Sequence, residues 1–336
     1  MRAGLALPQF DYSVAGEPRL SWATVASYAE LGEQCGFDSL WLCDHLFLST
    51  EKYGGPVEPS DGFEPVVTLG ALARVTTRAR LGTLVFCEAL RPASVLAKSL
   101  ASLDVVSDGR LEVGLGAGWY APEYPPIGME MPLFGVRLAR LRDAIIVCRG
   151  MLGGGPFTHD GEHHRAQDAP NEPAARQHPR PPITVGGKGD RLLGVVAELA
   201  DVWNTCWAWT LHAYAERVAA LEHACDAIGR DPATVGRSLG LYALCGEDEA
   251  DLVRRFRRLQ EVTPRGVLDR VTLDEWRVGR LVGTIEQVAE QAAGWRELGV
   301  DTLILGVGAV PFAVTAPDDV ELLAHAIGLG AGVRSS

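Results

Sequence analysis

Long apolar runs are absent from the 336-residue sequence: no stretch approaches the roughly 20 residues that a membrane-spanning helix needs. The net charge of −12 and a pI near 5.2 argue against nucleic acid or an anionic membrane as a general partner. Pro8 and Asp11 interrupt the N-terminus too early for a signal peptide. The seven cysteines include no CxxC pair, which argues against a disulfide framework or a zinc site. We therefore predict a soluble, cytoplasmic protein with reduced thiols.

Several catalytic signatures are also missing. The sequence has no GxSxG elbow of a serine hydrolase and no GxxxxGK[ST] phosphate loop. His163 and His164 are adjacent, but no third ligand stands at helical spacing, so no metal site is expected. The stretch "GLGAGWY" (114–120) has GxGxG spacing and continues into "APEYPP", which cannot open a Rossmann helix. Its glycines would either let a flat ring or ribityl chain approach the backbone, or form a tight turn.

What the sequence does contain is a regular alternation of apolar runs and helical stretches, with 47% hydrophobic and 22% charged residues overall. Strict alternation of this kind favours a parallel sheet, and eight units favour a (β/α)8 TIM barrel, here as one domain over 1–336. The predicted strands are 3–9, 38–44, 79–87, 111–118, 182–187, 200–206, 237–246 and 301–308. The predicted helices are 22–36, 64–76, one opened by Pro92, 137–152, 190–199, 211–228, one from 247, and 284–299.

One segment breaks the alternation. Residues 153–181, after the fourth helix, are rich in Gly, Pro and His and lack helical periodicity. A segment of this length without regular structure inside a compact domain is usually functional. We predict an insertion that acts as a lid over the site.

Candidate functional residues stand where predicted strands end. In a TIM barrel the active site lies at the carboxyl ends of the strands. The apolar run "SLWLCDHLFL" (39–48) carries Asp44 and His45 at this position, and His suits proton exchange near neutral pH. A pair satisfied by loop amides is the simpler alternative. Four aromatic residues suggest an apolar pocket at the same end: Trp119, Tyr120, Trp203 and Trp207.

The stretch "VGGKGDR" (185–191) predicts an anion site. Gly186 and Gly187 stand between a strand and a helix start, where exposed amides and the positive helix end attract a phosphate. Lys188 and Arg191 add positive charge. A solvated turn without a ligand is the alternative.

These stretches together resemble the luciferase-like monooxygenase family, in particular its deazaflavin-dependent branch. The resemblance rests on "GFDSLWLCDH" (36–45), "LGTLV" (81–85) and "RPASVLAKSLASLDVVSDGRLEVGLGAGWYAPEY" (91–124). It continues through "RPPITVGGKGDRLLGVVAELADVWN" (180–204) and "LVGTIEQVAEQAAGWRELGVDTLIL" (281–305), and so covers nearly the whole chain in order.

The resemblance implies a TIM barrel with an insertion after the fourth helix, binding coenzyme F420 or FMN at its mouth. It implies that Asp44 and His45 lie by the ring, with His45 a proton donor, and that the third strand has a cis peptide at Leu84-Val85. The remaining implied cofactor contacts are Thr83, Gly114, Gly116, Ala117, Gly118, Gly186 and Gly187. A homodimer is a further implication.

The implied activity is hydride transfer between F420 and a small organic substrate. The alternatives are an FMNH2-dependent monooxygenase supplied by a partner flavin reductase, and a flavin-binding protein without catalysis. One departure limits the substrate: sugar-phosphate dehydrogenases of the family place a Glu after the fourth-strand glycines, where this chain has Trp119. Glucose-6-phosphate is therefore not expected.

Overall fold

The computed structural model describes residues 1–329. Eight parallel strands form a closed barrel, because each strand pairs with the next along the chain and the last pairs with the first. The strands are β1 Arg2–Ala6, β2 Ser39–Leu42, β3 Arg80–Thr83, β4 Leu111–Gly116, β5 Ile183–Gly186, β6 Val202–Trp207, β7 Gly236–Gly246 and β8 Thr302–Gly306. The predicted TIM barrel and its eight strands are confirmed.

Helices cover the outside of the barrel. They are α1 Trp22–Gln34, α2 Pro65–Val75, α3 Ala93–Val106, α4 Phe134–Leu152, α5 Asp190–Leu199, α6 Leu211–Asp226, α7 Glu249–Val262, α8 Leu273–Arg277, α9 Ile285–Glu297 and α10 Pro317–Ala326. Local sequence explains several starts: Ser21 caps α1, and Thr284 with Gln287 forms a capping box on α9. The helices α8 and α10 were not predicted. No helix within residues 1–329 has the length and apolar character to cross a membrane.

Glycines let a large side chain fit the barrel wall near β1, β2 and β3. A Cβ added to Gly4 would lie 2.6 Å from Trp41 Nε1, and one added to Gly82 would lie 2.5 Å from Trp41 Cζ3. Trp41 lies on β2 between these neighbours and is buried. Larger residues at either glycine would therefore collide with the indole.

Short strands and 3₁₀ turns lie outside the eight barrel strands and were not predicted separately. Strand Leu281–Thr284 pairs with β7, and Phe86–Cys87 pairs with β4. Phe47–Leu48 and Ser60–Asp61 form an antiparallel pair in the loop after β2. Single 3₁₀ turns lie at Glu51–Tyr53, Ala121–Glu123, Pro125–Ile127 and Pro232–Thr234.

The inserted segment 153–181 contains an antiparallel hairpin, Phe157–Asp160 with Arg165–Ala169. The hairpin packs on α3 and α4: a Cβ at Gly150 would lie 2.1 Å from the Phe157 ring, and Asp143 accepts the His163 amide at 2.9 Å. No residue of 153–181 lines the cavity described below. The structure thus gives no support for a lid, because the apolar side of the hairpin is used against the outer helices.

Candidate active site

A cavity of about 370 Å³ lies at the carboxyl ends of the barrel strands. Twelve of the site residues predicted from sequence line it: Asp44, His45, Leu84, Val85, Gly116, Ala117, Gly118, Trp119, Gly186, Gly187, Lys188 and Trp207. Five others do not: Thr83, Gly114, Tyr120, Arg191 and Trp203. A surface depression of about 570 Å³ around Arg270 is larger, but it lies among the residues before α8 and contains none of the predicted site residues.

His45 is held by a carboxylate that sequence reasoning missed. His45 Nδ1 lies 2.9 Å from Glu123 Oε2, and the Leu46 amide donates to Glu123 Oε1. Glu123 is 2% exposed and sits in the 3₁₀ turn that follows β4. A carboxylate acceptor favours the tautomer with the proton on Nδ1, which leaves Nε2 without a hydrogen-bond partner in residues 1–329. The sequence offered one indication of this role: Glu123 lies in "WYAPEY", at the end of the segment 91–124 that resembles the family.

The carboxylate of Asp44 accepts hydrogen bonds from other groups of the protein. It is 1% exposed and accepts two hydrogen bonds from Arg91, at 2.7 and 2.9 Å, and one from the Cys87 amide at 2.8 Å. Burial raises the pKa of Asp44, and the hydrogen bonds from Arg91 oppose that shift. Arg91 also bridges to Glu64 at the start of α2. A backbone amide and the Arg91 side chain, which the sequence did not indicate as a partner, therefore occupy the oxygens of Asp44.

The cis peptide predicted at Leu84-Val85 is confirmed. A second non-proline cis peptide joins Cys206 and Trp207 and was not predicted. All four residues of these two bonds line the cavity.

The glycines at the carboxyl end of β4 are required by packing. A Cβ at Gly114 would lie 2.1 Å from the Thr83 carbonyl oxygen, and one at Gly116 would lie 2.4 Å from Val85 Cγ2. The end of β3 and the residues after it lie so close to β4 that no side chain fits at these two positions. Packing within the protein, more than the approach of a ligand, therefore requires the two glycines. Thr83 and Gly114 do not line the cavity, so their role as cofactor contacts stays a prediction.

Two of the four predicted pocket aromatics line the cavity, and two support its wall. Trp203 is fully buried, donates its indole N–H to the Gly187 carbonyl at 2.7 Å and stacks on Tyr214. The Tyr120 hydroxyl accepts the Ser49 amide at 3.0 Å, and its ring meets His45 edge-on. Trp203 and Tyr120 do not line the cavity themselves. They fix the turn at Gly187 and the ring of His45.

The start of α5 offers unpaired amides to the cavity. The Gly187 amide is not among them, since it donates to the Asn204 carbonyl at 2.9 Å. The amides of 188–191 form no hydrogen bond within the described chain, and no side chain caps the helix at Gly189. A Cβ at Gly189 would meet no atom within 4 Å, so the space before these amides is open. Amides and helix end together attract an anion.

Two basic side chains flank this helix start. Lys188 lines the cavity, with its Nζ 5.6 Å from the centre of the Trp209 ring, and has no ion-pair partner within residues 1–329. Arg191 is exposed at the rim and stacks its guanidinium 5.6 Å from the Phe134 ring. Arg191 thus contributes charge near the site without lining it.

Two buried cysteines on the cavity wall have raised pKa values. Burial raises the pKa of Cys87 to about 11, and it raises the pKa of Cys43 well above its usual value. A thiol with such a pKa is a poor nucleophile and a poor metal ligand. Cys206 also lines the cavity and is exposed there. The described residues contain no group of three or more His, Cys, Asp or Glu that could hold a metal.

Comparison with known proteins gives one family. The model of the luciferase-like monooxygenase family matches residues 1–302. An F420-dependent hydroxymycolic acid dehydrogenase of Mycobacterium tuberculosis is 29% identical over 308 residues, covering 88% of this chain and 79% of the relative.

Two solved structures share the fold over almost the entire chain. An F420-dependent secondary alcohol dehydrogenase, in complex with an F420–acetone adduct, superimposes with a TM-score of 0.75 at 18% identity, covering 97% of this chain and 98% of the other. A monooxygenase from Streptomyces bottropensis gives a TM-score of 0.75 at 24% identity, with the same coverage. At these identities the likeness concerns the fold.

Proposed function

The chain belongs to the luciferase-like monooxygenase family, and from this premise we propose that it is an F420-dependent oxidoreductase acting on a small organic substrate. The name of the mycobacterial relative, an F420-dependent dehydrogenase matched over most of both chains, supports the cofactor. The observation that carries the proposal is one cavity with a buried His–Glu pair on one side and an open, uncapped helix start on the other.

The residues present fit such a cofactor. The open space before Gly189, the free amides of 188–191 and the unpaired ammonium of Lys188 suit the phosphate of F420 or FMN. The wall formed by Leu84, Val85 and Gly116 is apolar and has no bulky side chain at the glycine, which suits a flat ring. When bound, the deazaflavin supplies hydride chemistry.

His45 is the group that exchanges a proton with the substrate. Its Nδ1 is committed to Glu123, so Nε2 is the nitrogen available to the cavity. The ion pair of Asp44 with Arg91 anchors the backbone immediately before His45, and the edges of Trp119 and Tyr120 fix the imidazole plane. Such positioning by packed neighbours is what general acid–base catalysis requires.

An FMNH2-dependent monooxygenase, which would need a partner flavin reductase, is the second candidate. The fold shared with the Streptomyces monooxygenase favours it. A flavin-binding protein without catalysis is the third, and the His45–Glu123 pair argues against it because a binding protein has no use for an oriented proton donor.

Anaerobic titration of the protein with F420 and with FMN tests the proposal. We expect F420 to bind at least ten-fold more tightly and its absorbance to change when substrate candidates, such as small secondary alcohols, are added. Tighter binding of FMN, together with O2 consumption when reduced FMN is supplied, would favour the monooxygenase.

We also propose that the chain acts as a single-domain homodimer in the cytoplasm. The family resemblance supports the dimer, and the seven cysteines without a CxxC pair support the location. Sedimentation velocity of the purified protein tests the dimer, and cell fractionation tests the location.

A further inference from the structure

Lys52 is a cation at the cavity mouth that neither the barrel nor the proposed cofactor site uses. It lies in the 3₁₀ turn Glu51–Tyr53 after β2 and lines the cavity. Only three of the 31 Lys and Arg residues in the chain are lysines, and two of them, Lys52 and Lys188, line this one cavity. A compact, mobile ammonium is thus rare in the protein and concentrated at the site.

The ammonium of Lys52 lies over the Trp119 ring, which also contacts the proposed proton donor. Lys52 Nζ lies 4.0 Å from the centre of the Trp119 ring, and that ring lies 5.5 Å from the His45 ring. Lys52, Lys188 and Cys206 line the same cavity. A cation–π contact of this kind holds the ammonium while leaving its hydrogen-bond donors free.

The charge of Lys52 is unmatched within residues 1–329. No carboxylate pairs with it, although the chain carries 43 acidic residues. Asp44, the acidic residue on the cavity wall, is already neutralised by Arg91. Lys188 stands three strands away at the start of α5, where the proposed phosphate site lies. Lys52 is therefore left to meet an anion that enters the mouth beside His45.

The walls on this side of the cavity are aromatic. Trp207 stacks on Tyr242 with ring centres 5.2 Å apart and meets Phe312 edge-on at 5.5 Å. Trp207, Phe312 and Trp119 line the cavity. At about 370 Å³, shared with the cofactor, the cavity is near the lower end of the range for small-molecule sites.

We propose that the substrate is a small apolar molecule carrying a carboxylate, which Lys52 binds at the mouth while the apolar body packs between Trp119, Trp207 and Phe312. This inference rests on the proposed function, since it assigns to the substrate the part of the cavity that the cofactor leaves. Lys52 is then a specificity-determining residue, selecting for charge, and His45 remains the proton donor.

Phenylacetate and its neutral counterpart phenylacetamide are the probes, titrated into the F420-loaded protein and followed by tryptophan fluorescence. We expect phenylacetate to bind about ten-fold more tightly than phenylacetamide. In Lys52→Met this preference should disappear while phenylacetamide affinity stays within about two-fold, and Lys52→Arg should keep part of it. Lys98→Met, which removes the third lysine on α3, should bind both probes like the wild type.

Three outcomes would overturn the inference. They are equal affinity of the wild type for the two probes, an unchanged preference in Lys52→Met, and an equal loss in Lys98→Met. An unchanged preference together with weaker F420 binding by Lys52→Met would assign Lys52 to the cofactor. If the wild type does not bind F420, the proposed function fails, and the same titration without cofactor still decides whether Lys52 selects the anion.

Discussion

Glu123 holds His45 from 78 positions further along the chain, with 2.9 Å between Oε2 and Nδ1. The carboxylate is buried and also accepts the amide of Leu46, so it fixes both the ring and the backbone that follows it. This pair turns a histidine at a strand end into an oriented one with a defined free nitrogen.

Removing the imidazole tests the proton transfer. His45→Ala should lower turnover by roughly 10²–10⁴-fold, the usual scale for loss of a general acid or base. F420 affinity should change only a few-fold, because the free amides at α5 and Lys188 are untouched. Turnover within a factor of a few of the wild type would show that His45 does not carry the proton.

Glu123→Gln tests whether the carboxylate positions His45. The side-chain amide of the glutamine would donate to His45 Nδ1 and so favour the tautomer with the proton on Nε2. We therefore expect at least a ten-fold loss in kcat and an altered pH profile of kcat. A merely structural role would lower the melting temperature and leave that profile unmoved. Glu123→Asp, which keeps the charge, should retain more activity than Glu123→Gln.

The ion pair of Asp44 with Arg91 predicts a stability effect. Asp44→Ala removes the main partner of the largely buried Arg91 guanidinium. We therefore expect the free energy of unfolding to fall by about 3 kcal/mol. The double variant with Arg91→Met should be destabilised less than the sum of the two single changes. Urea unfolding of the four proteins measures this, and strict additivity would mean that the pair contributes nothing. We expect only a small effect of Asp44→Ala on cofactor affinity, because the Asp44 oxygens are occupied within the protein.

Glycine substitutions at the start of α5 test the phosphate site. Gly189→Val should weaken cofactor binding sharply yet leave the fold intact, because Gly189 has φ −79 and a Cβ there meets only open space. Gly187→Val should weaken binding as well, but through the backbone: Gly187 has φ +145 and its Cβ would press on Leu192 at 3.0 Å. Lys188→Met should weaken binding modestly and reduce its salt dependence.

Gly194→Ala, inside the same helix and with no atom within 4 Å of the added Cβ, is the matched control for those changes. Isothermal titration with F420 and with FMN measures all four variants. Wild-type binding by Gly189→Val would place the phosphate elsewhere.

Buried thiols predict that the free energy of unfolding falls at alkaline pH. Burial raises the pKa of Cys148 from 9.0 to about 12, so the folded protein keeps a proton that the unfolded chain loses. The resulting contribution of Cys148 to the free energy of unfolding is fully present below pH 9. It is lost as the pH rises from about 9 to 12, at up to about 1.4 kcal/mol per pH unit. Urea unfolding at pH 8, 9 and 10 should show a shallower decline for Cys148→Ala than for the wild type. Cys35→Ala, at a half-exposed helix end, should follow the wild type more closely.

The barrel could be predicted from sequence because its evidence is local. Each strand is a short apolar run and most helices have a start or stop residue, so alternation along the chain is enough to specify eight parallel units. The position of His45 followed from the same pattern, since carboxyl ends of parallel strands meet at one end of a barrel.

The direction of individual side chains could not be predicted. Strands of a barrel are buried on both faces and lack the alternation that would tell inside from outside. Trp203 faces Tyr214 in the helix layer while Trp207, on the same strand, lines the cavity. The hairpin in 153–181 was missed for a related reason: its strands depend on packing against α4, and its composition is that of a loop.

The sequence by itself determined the barrel, the strand ends that form the site and the family. Only the tertiary structure decided the partners: Glu123 for His45 and Arg91 for Asp44, at separations of 78 and 47 residues. The partner of a carboxylate depends on which loops the closed barrel brings together. Periodicity along the chain does not indicate which distant residues become neighbours in this way. The same closure brought Lys52 and His45 to one cavity.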